Sequence, residues 1–285
     1  MANPWWPTPP TAAMREGATR VPSPWAPGPA AVAAAPSSTC PTRSRIEATA
    51  GAGRIDPGRL SALQPVRYSE AVARLESLPD ALPAPPEALV PIRLDGAPWK
   101  LPAEGAATAR PAAVLVLIAP DPTGEARVVL IERTSYDGHH SGEIAFPGGA
   151  AEPGDPDLAS TALREANEEI GLDPPTVGLR IVGELEPFWI PVSNFRVTPI
   201  VAFADHLPAW RPDPREVARI IEAPLASFLP DAPITTIERD VREWRIRYGA
   251  YALAEIAEGP AVWGATARIL GQLGAILAAE PAARR

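Results

Sequence analysis

Three glutamates, Glu165, Glu168 and Glu169, fall at i, i+3 and i+4 of one short helix-forming stretch, and they constrain the chain more than any other feature. Residues at that spacing share one side of a helix, so three like charges converge there. The opposite side is apolar: Leu158, Ala162, Ala166 and Ile170 repeat at helical spacing and form a stripe for burial. The stretch also carries its own boundaries. Asp155 is the expected N-cap, Pro156 the first helical residue, and Asp157 a first-turn carboxylate that complements the helix dipole. Gly171 supplies a left-handed stop, and Pro174 and Pro175 prevent continuation. Arg164 stands four residues before Glu168 and can pair with it, which leaves two carboxylates uncompensated. Two outcomes answer to such a face. Either it is a solvated acidic surface, or it holds a hard divalent cation that takes carboxylate oxygens together with water and substrate phosphates.

The run Arg164-Glu165-Ala166-Asn167-Glu168-Glu169-Ile170-Gly171-Leu172 resembles the core of the Nudix box, Gly-x5-Glu-x7-Arg-Glu-U-x-Glu-Glu-x-Gly-U, where U is bulky and aliphatic. Ala166 departs from the bulky position. Gly149 lies one residue too far from Arg164, so Pro156 falls where the pattern has a glutamate, and Asp155 or Asp157 is the candidate replacement. The preceding Gly142-Glu143-Ile144-Ala145-Phe146-Pro147-Gly148-Gly149 and the segment Thr161-Ala162-Leu163 resemble the coenzyme A diphosphatase branch, which tolerates the longer loop.

The resemblance implies an α/β fold, an α/β/α sandwich around a mixed β-sheet with the acidic helix beside the substrate cleft. It implies a Mg²⁺ or Mn²⁺ cofactor held by Glu165, Glu168, Glu169 and the backbone carbonyl of Gly149. The same three glutamates would be catalytic, with Arg164 orienting Glu168. Arg133, His140, Phe146, Gly148 and Asn194 are the substrate-binding candidates. The implied reaction is hydrolysis of coenzyme A or an acyl derivative to 4′-phosphopantetheine and adenosine 3′,5′-bisphosphate. A hydrolase for ADP-ribose, NADH or another nucleotide-linked diphosphate is the alternative, and a non-hydrolytic nucleotide-sensing domain is the alternative from another class. Which glutamate is the base stays open.

The chain has 285 residues and 46% apolar content, enough for one globular domain with extras. A net charge of −8 gives no footprint for wrapping nucleic acid or resting on an anionic membrane. The expected partner is therefore a small nucleotide substrate, and a homodimer stays an open alternative. Cys40 is the one cysteine, which excludes an intrachain disulfide or a cysteine-built zinc site, so the cytoplasm is the default location. Residues 1 to about 60 mix Pro, Ala, Ser and Thr with few aliphatics and read as a disordered tail. They lack the basic start and unbroken apolar run of a signal peptide. Trp5, Trp6 and Trp25 there are either a short docking motif or incidental, for instance if the reading frame starts later, at Met14. Residues 61–285 form the expected hydrolase domain, and the resemblance covers about 65–281.

Within it, Tyr68–Leu78 has helical periodicity, and 89–101 adds a short strand after a proline-rich connector. Ala112–Ala119 is an apolar run bounded by prolines and reads as a buried central strand. Asp121-Pro122-Thr123-Gly124 turns it into a second strand, Arg127–Arg133. A loop carrying His139 and His140 follows; His140 is a phosphate or base donor or an exposed histidine without a role. In that loop Asp137-Gly138 stands where the branch often has Leu-Arg, so a basic clamp for a 3′-phosphate is missing, and Arg133 is a phosphate contact or a plain strand-end charge. Leu179–Glu186, Phe195–Ala204 and Trp244–Ala254 read as further strands. Asn194 is a substrate contact or a turn residue. Glu216, in a stretch resembling the entry to the final helical region, is an extra metal ligand or a helix-start carboxylate. Val262–Leu270 opens a C-terminal helix.

Overall fold

A computed structural model describes residues 63–76, 81–97, 107–134, 142–241, 244–253 and 261–279. The tail, Cys40, His139, His140 and the Asp137-Gly138 pair lie outside the described residues.

The apolar run near residue 112 becomes the long strand β2 (Arg110–Pro120), preceded by helix α1 (Tyr68–Leu75) and a two-residue strand β1 (Ile92–Arg93). Asp121 accepts from the backbone N–H groups of Thr123 and Glu125 and turns the chain into β3 (Ala126–Arg133), which pairs antiparallel with β2. Short β4 (Ile144–Ala145) and β5 (Gly148–Ala150) follow, and then helix α2 (Leu158–Ile170). Next come β6 (Arg180–Glu184), β7 (Phe188–Ile190), β8 (Phe195–Phe203) and β9 (Val217–Pro224). The chain closes with β10 (Ile234–Val241), β11 (Trp244–Tyr251), β12 (Val262–Trp263) and α3 (Gly264–Ala278).

Eight of these strands form one mixed sheet in the order β4-β3-β2-β8-β6, with β5 on β2, β7 on β8 and β9 on β3. The β2–β8 pair is parallel and the rest are antiparallel. Successive side chains of β2 point to opposite faces. Ala113, Leu115 and Leu117 pack with Ala162, Ala166 and Ile170 of α2. Val116 and Ile118 pack on the other face with Leu270, Leu273 and Leu277 of α3 and Leu75 of α1. A strand buried on both sides must be apolar throughout, which is why it reads as an unbroken run. The result is the expected α/β/α sandwich.

A second sheet, β1-β11-β10 with β12 against β11, was expected only in part. Strands β9 and β10 correct the sequence reading, and Glu216 precedes a strand, not a helix. Val217, Ile220 and Ile221 also fit a helical period; their pairing with β3 selects the strand. The cap is corrected too. Asp157, not Asp155, caps α2, accepting from the Ser160 N–H at 2.7 Å, and Gly171 ends it at φ 68° as expected.

Candidate active site

Helix α2 lies on the sheet through Ala162, Ala166 and Ile170, so the orientation of its acidic face is fixed by burial of the apolar one. The three glutamates meet different surroundings. Glu165 is 2% exposed and Glu169 1%, whereas the Glu168 side chain is 36% exposed.

Glu165 faces β5. A Cβ placed on Gly149 would lie 2.5 Å from the Glu165 carboxyl carbon and from Oε1, so the absence of a side chain there lets the carboxylate touch the backbone. Arg164 holds the outer side. Its Nη1 is 3.0 Å from Glu165 Oε1 and 3.7 Å from Glu168 Oε2, and Nη2 donates to the Ala150 carbonyl at 3.0 Å. Asp155 accepts from Arg164 Nε at 3.0 Å and from the Thr161 hydroxyl at 2.8 Å. The residue expected to cap the helix thus anchors the arginine instead. Arg164 contacts Glu168 as expected, and contacts Glu165 and Asp155 more closely.

Glu169 turns the other way. Its Oε1 lies 3.3 Å from Arg133 Nη1, and its Oε2 accepts from the Gly148 N–H at 2.9 Å. Arg133 is 4% exposed, so the expected phosphate contact is a buried ion pair in this arrangement. Gly148 has φ 149°, a region that favours glycine, and a Cβ there would meet Val114 Cα at 2.6 Å. Phe146 is 3% exposed and packs in the core that α3 covers. Asn194 has φ 53°, its Oδ1 accepts from Trp189 Nε1, and its Nδ2 donates to the Thr108 carbonyl, so both ends of the amide serve the turn before β8.

Burial dominates the electrostatics. It raises the Glu165 carboxyl to about 7 against the pull of Arg164, with the charges of Glu168 and Glu216 adding to the rise. It raises Glu169 to about 8 against Arg133 and the Gly148 N–H, with Glu165 and Glu216 adding. Glu216 is itself buried and belongs to this neighbourhood. Its place here accords with the alternative of an extra ligand more than with a helix start, since a strand follows it.

Among the described residues, no group of three or more His, Cys, Asp or Glu side chains is placed to hold a metal ion as it stands. Arg133 and the Gly148 N–H hold the Glu169 carboxylate, whose neighbours include Glu165 and Glu216. The donor chemistry nevertheless fits a divalent cation. Glu165 meets the glycine backbone directly, and a guanidinium nitrogen already stands between Glu165 and Glu168, where positive charge is favoured.

The NUDIX domain model matches residues 109–244. "Nudix hydrolase 15, mitochondrial" from Arabidopsis thaliana is 37% identical over 176 residues, which is 60% of this chain and 60% of the relative. An "Uncharacterized Nudix hydrolase NudL" from Pectobacterium atrosepticum is 38% identical over 175 residues, covering 60% of this chain and 85% of the relative. The chain thus spans about three fifths of the length of the plant relatives it matches. A solved Nudix hydrolase from M. smegmatis, RenU, is 24% identical over 48% of this chain and 79% of that one, at a TM-score of 0.36, which is too low to bear on the argument.

Proposed function

The chain belongs to the Nudix hydrolase family, and from that premise we propose that it hydrolyses the diphosphate link of a nucleotide-linked substrate with the help of Mg²⁺ or Mn²⁺. Coenzyme A or an acyl derivative is the favoured substrate. The observation behind the site assignment is the Glu165 carboxylate against Gly149, with Arg164 bridging to Glu168.

A diphosphate is anionic and repels nucleophiles, and hydroxide is scarce at neutral pH. The cation would be held by Glu165, Glu168, Glu169 and the Gly149 carbonyl. When bound, it neutralises phosphate charge and lowers the pKa of coordinated water. The chain's own residues do the rest. Gly149 leaves room for Glu165, Arg164 fixes the carboxylates at its tip, and the buried glutamates stand where a proton can be taken from the attacking water. The water oxygen forms a bond to one phosphorus as the bridging P–O bond breaks, and the leaving phosphate keeps the electron pair. Alignment for in-line attack is the main contribution of such a site.

The segments Gly142–Gly149 and Thr161–Leu163 support coenzyme A through their resemblance to that branch. A second reading, ADP-ribose or NADH, is favoured by the burial of Arg133, which removes one candidate clamp for a 3′-phosphate. No helix among the described residues is long and apolar enough to cross a membrane. Cytoplasmic location and a single domain over 61–285 remain part of the proposal.

The test is parallel hydrolysis of coenzyme A, its 3′-dephosphorylated form, ADP-ribose and NADH with Mg²⁺ and with Mn²⁺, products identified by mass. Release of 4′-phosphopantetheine from coenzyme A at the highest kcat/KM is expected. Preference for ADP-ribose or NADH would establish the second reading. Cleavage of none would overturn hydrolysis and favour a nucleotide sensor.

A further inference from the structure

Arg133 stands at the end of β3, at an irregularity where its partner on β9 is Val217. Its backbone N–H donates to the Glu143 carbonyl at 3.0 Å, and the next N–H, from Thr134, donates to the Glu216 carbonyl at 3.0 Å. The strand end is therefore tied on both sides, which sets where the side chain begins. That side chain runs inward, buried to 4% exposure, and reaches Glu169.

Three elements meet at the Glu169 carboxylate. The carboxylate is on α2, one oxygen receives Arg133 from β3, and the other receives the Gly148 N–H from β5. Two donors on two oxygens from two strands fix both the position and the plane of a carboxylate, and charge-assisted hydrogen bonds are the stronger kind. A phosphate taking the Nη1 donor would compete with Glu169 for it. We propose that Arg133 is a positioning residue that sets Glu169 for the reaction, and not a contact to substrate. The proposal rests on the hydrolytic reading above.

The roles separate in kinetics. Loss of a substrate contact raises KM or weakens nucleotide affinity, whereas loss of a group acting through Glu169 lowers kcat. Four proteins are compared with wild type: Arg133→Met, Arg133→Lys, Glu169→Gln and the Arg133→Met/Glu169→Gln double variant. Each is assayed for kcat and KM on whichever diphosphate the wild type cleaves. Each is also titrated calorimetrically, without metal, with that reaction's nucleotide product (adenosine 3′,5′-bisphosphate or AMP).

Arg133→Met should lower kcat by about 10²-fold, with KM within about threefold and nucleotide affinity within about twofold. Arg133→Lys should recover about a tenth or more of the wild-type kcat. The double variant should be no slower than Glu169→Gln alone, because residues that act as a unit are not additive. If Arg133→Met does not fold, the double variant against Glu169→Gln decides, since removing both members of a buried pair leaves no orphaned charge. A tenfold or larger rise in KM or in the product Kd, or a further loss in the double variant, would overturn the proposal. An inactive wild type would instead overturn the hydrolytic reading, and the positioning role with it.

Discussion

Gly148 and Gly149 are neighbours in β5, and replacing each by alanine should give opposite phenotypes. At Gly149 the added methyl meets the end of one side chain. It would lie 2.5 Å from the Glu165 carboxyl carbon, about 1 Å inside ordinary van der Waals contact for carbon. A carboxylate end can swing, and an off-rotamer side chain costs about 0.5–1.5 kcal/mol. At Gly148 the methyl meets backbone, the Ala113 carbonyl and Val114 Cα, at the φ of 149°. Neither neighbour can move without breaking the pairing of β2 with β5. Overpacking of about 1–3 kcal/mol adds to conformational strain of about 1–3 kcal/mol.

Urea melts of the two variants should therefore differ by about 2 kcal/mol or more, with Gly149→Ala close to wild type. Activity should not follow stability. Moving the Glu165 carboxylate by about 1 Å in a positioning site costs on the order of 10²-fold in turnover, so Gly149→Ala should fold well and hydrolyse poorly. Full activity of Gly149→Ala would refute the placement of Glu165 in the site. Equal destabilisation of both variants would refute the distinction between flexible and rigid neighbours.

Three further outcomes are expected. Glu168→Gln should lower turnover by about 10²-fold or more with an unchanged melting temperature, since its side chain is only partly buried; unchanged turnover in metal-replete buffer would remove Glu168 from the site. Burial opposes the charge on Asp121, but hydrogen bonds from Thr123, Arg127 and the Glu125 N–H outweigh it and hold the carboxyl down at about 2. A depressed folded-state pKa contributes stability that is present above the unfolded value near 4 and lost as pH falls through 2. Asp121→Asn should thus cost about 1–2 kcal/mol at pH 7, and its deficit should shrink between pH 4 and pH 2; a deficit independent of pH would contradict the assignment. Deletion of residues 1–60, whose composition offers little apolar surface to bury, should leave kcat and melting temperature unchanged, and a large loss in either would show that the segment packs on the domain.

Local rules made much of the fold legible. Strand β2 announced itself because burial on both faces demands an apolar run, and α2 because Ala162, Ala166 and Ile170 keep a helical period up to a left-handed Gly171. What failed depended on partners distant in sequence. Asp155 and Asp157 flank Pro156 and look equivalent as caps, but Arg164 and Thr161 claim Asp155 and leave Asp157 to the helix. The β9 sequence fits two periods, and only β3 chooses between them. The resemblance makes Phe146 a substrate candidate, and no local signal shows that its ring packs in the core on the α3 side.

The same distinction explains the site. On α2 alone the three glutamates are equivalent, and the sequence offers one nearby cation. In the fold they divide: Arg164 serves Glu165 and Glu168 from within the same helix, and Arg133, 36 residues before Glu169, serves that residue from β3. Asp155, Glu165 and Glu168 thus share Arg164 while Glu169 has Arg133, and burial raises the cost of charge on Glu165 and Glu169. The donors that hold Asp155, Glu165 and Glu169 could not serve a diphosphate without loosening those carboxylates. A substrate carrying further negative charge therefore needs positive charge that these two arginines do not supply. That is the physical reason a divalent cation suits this face better than a solvated surface would.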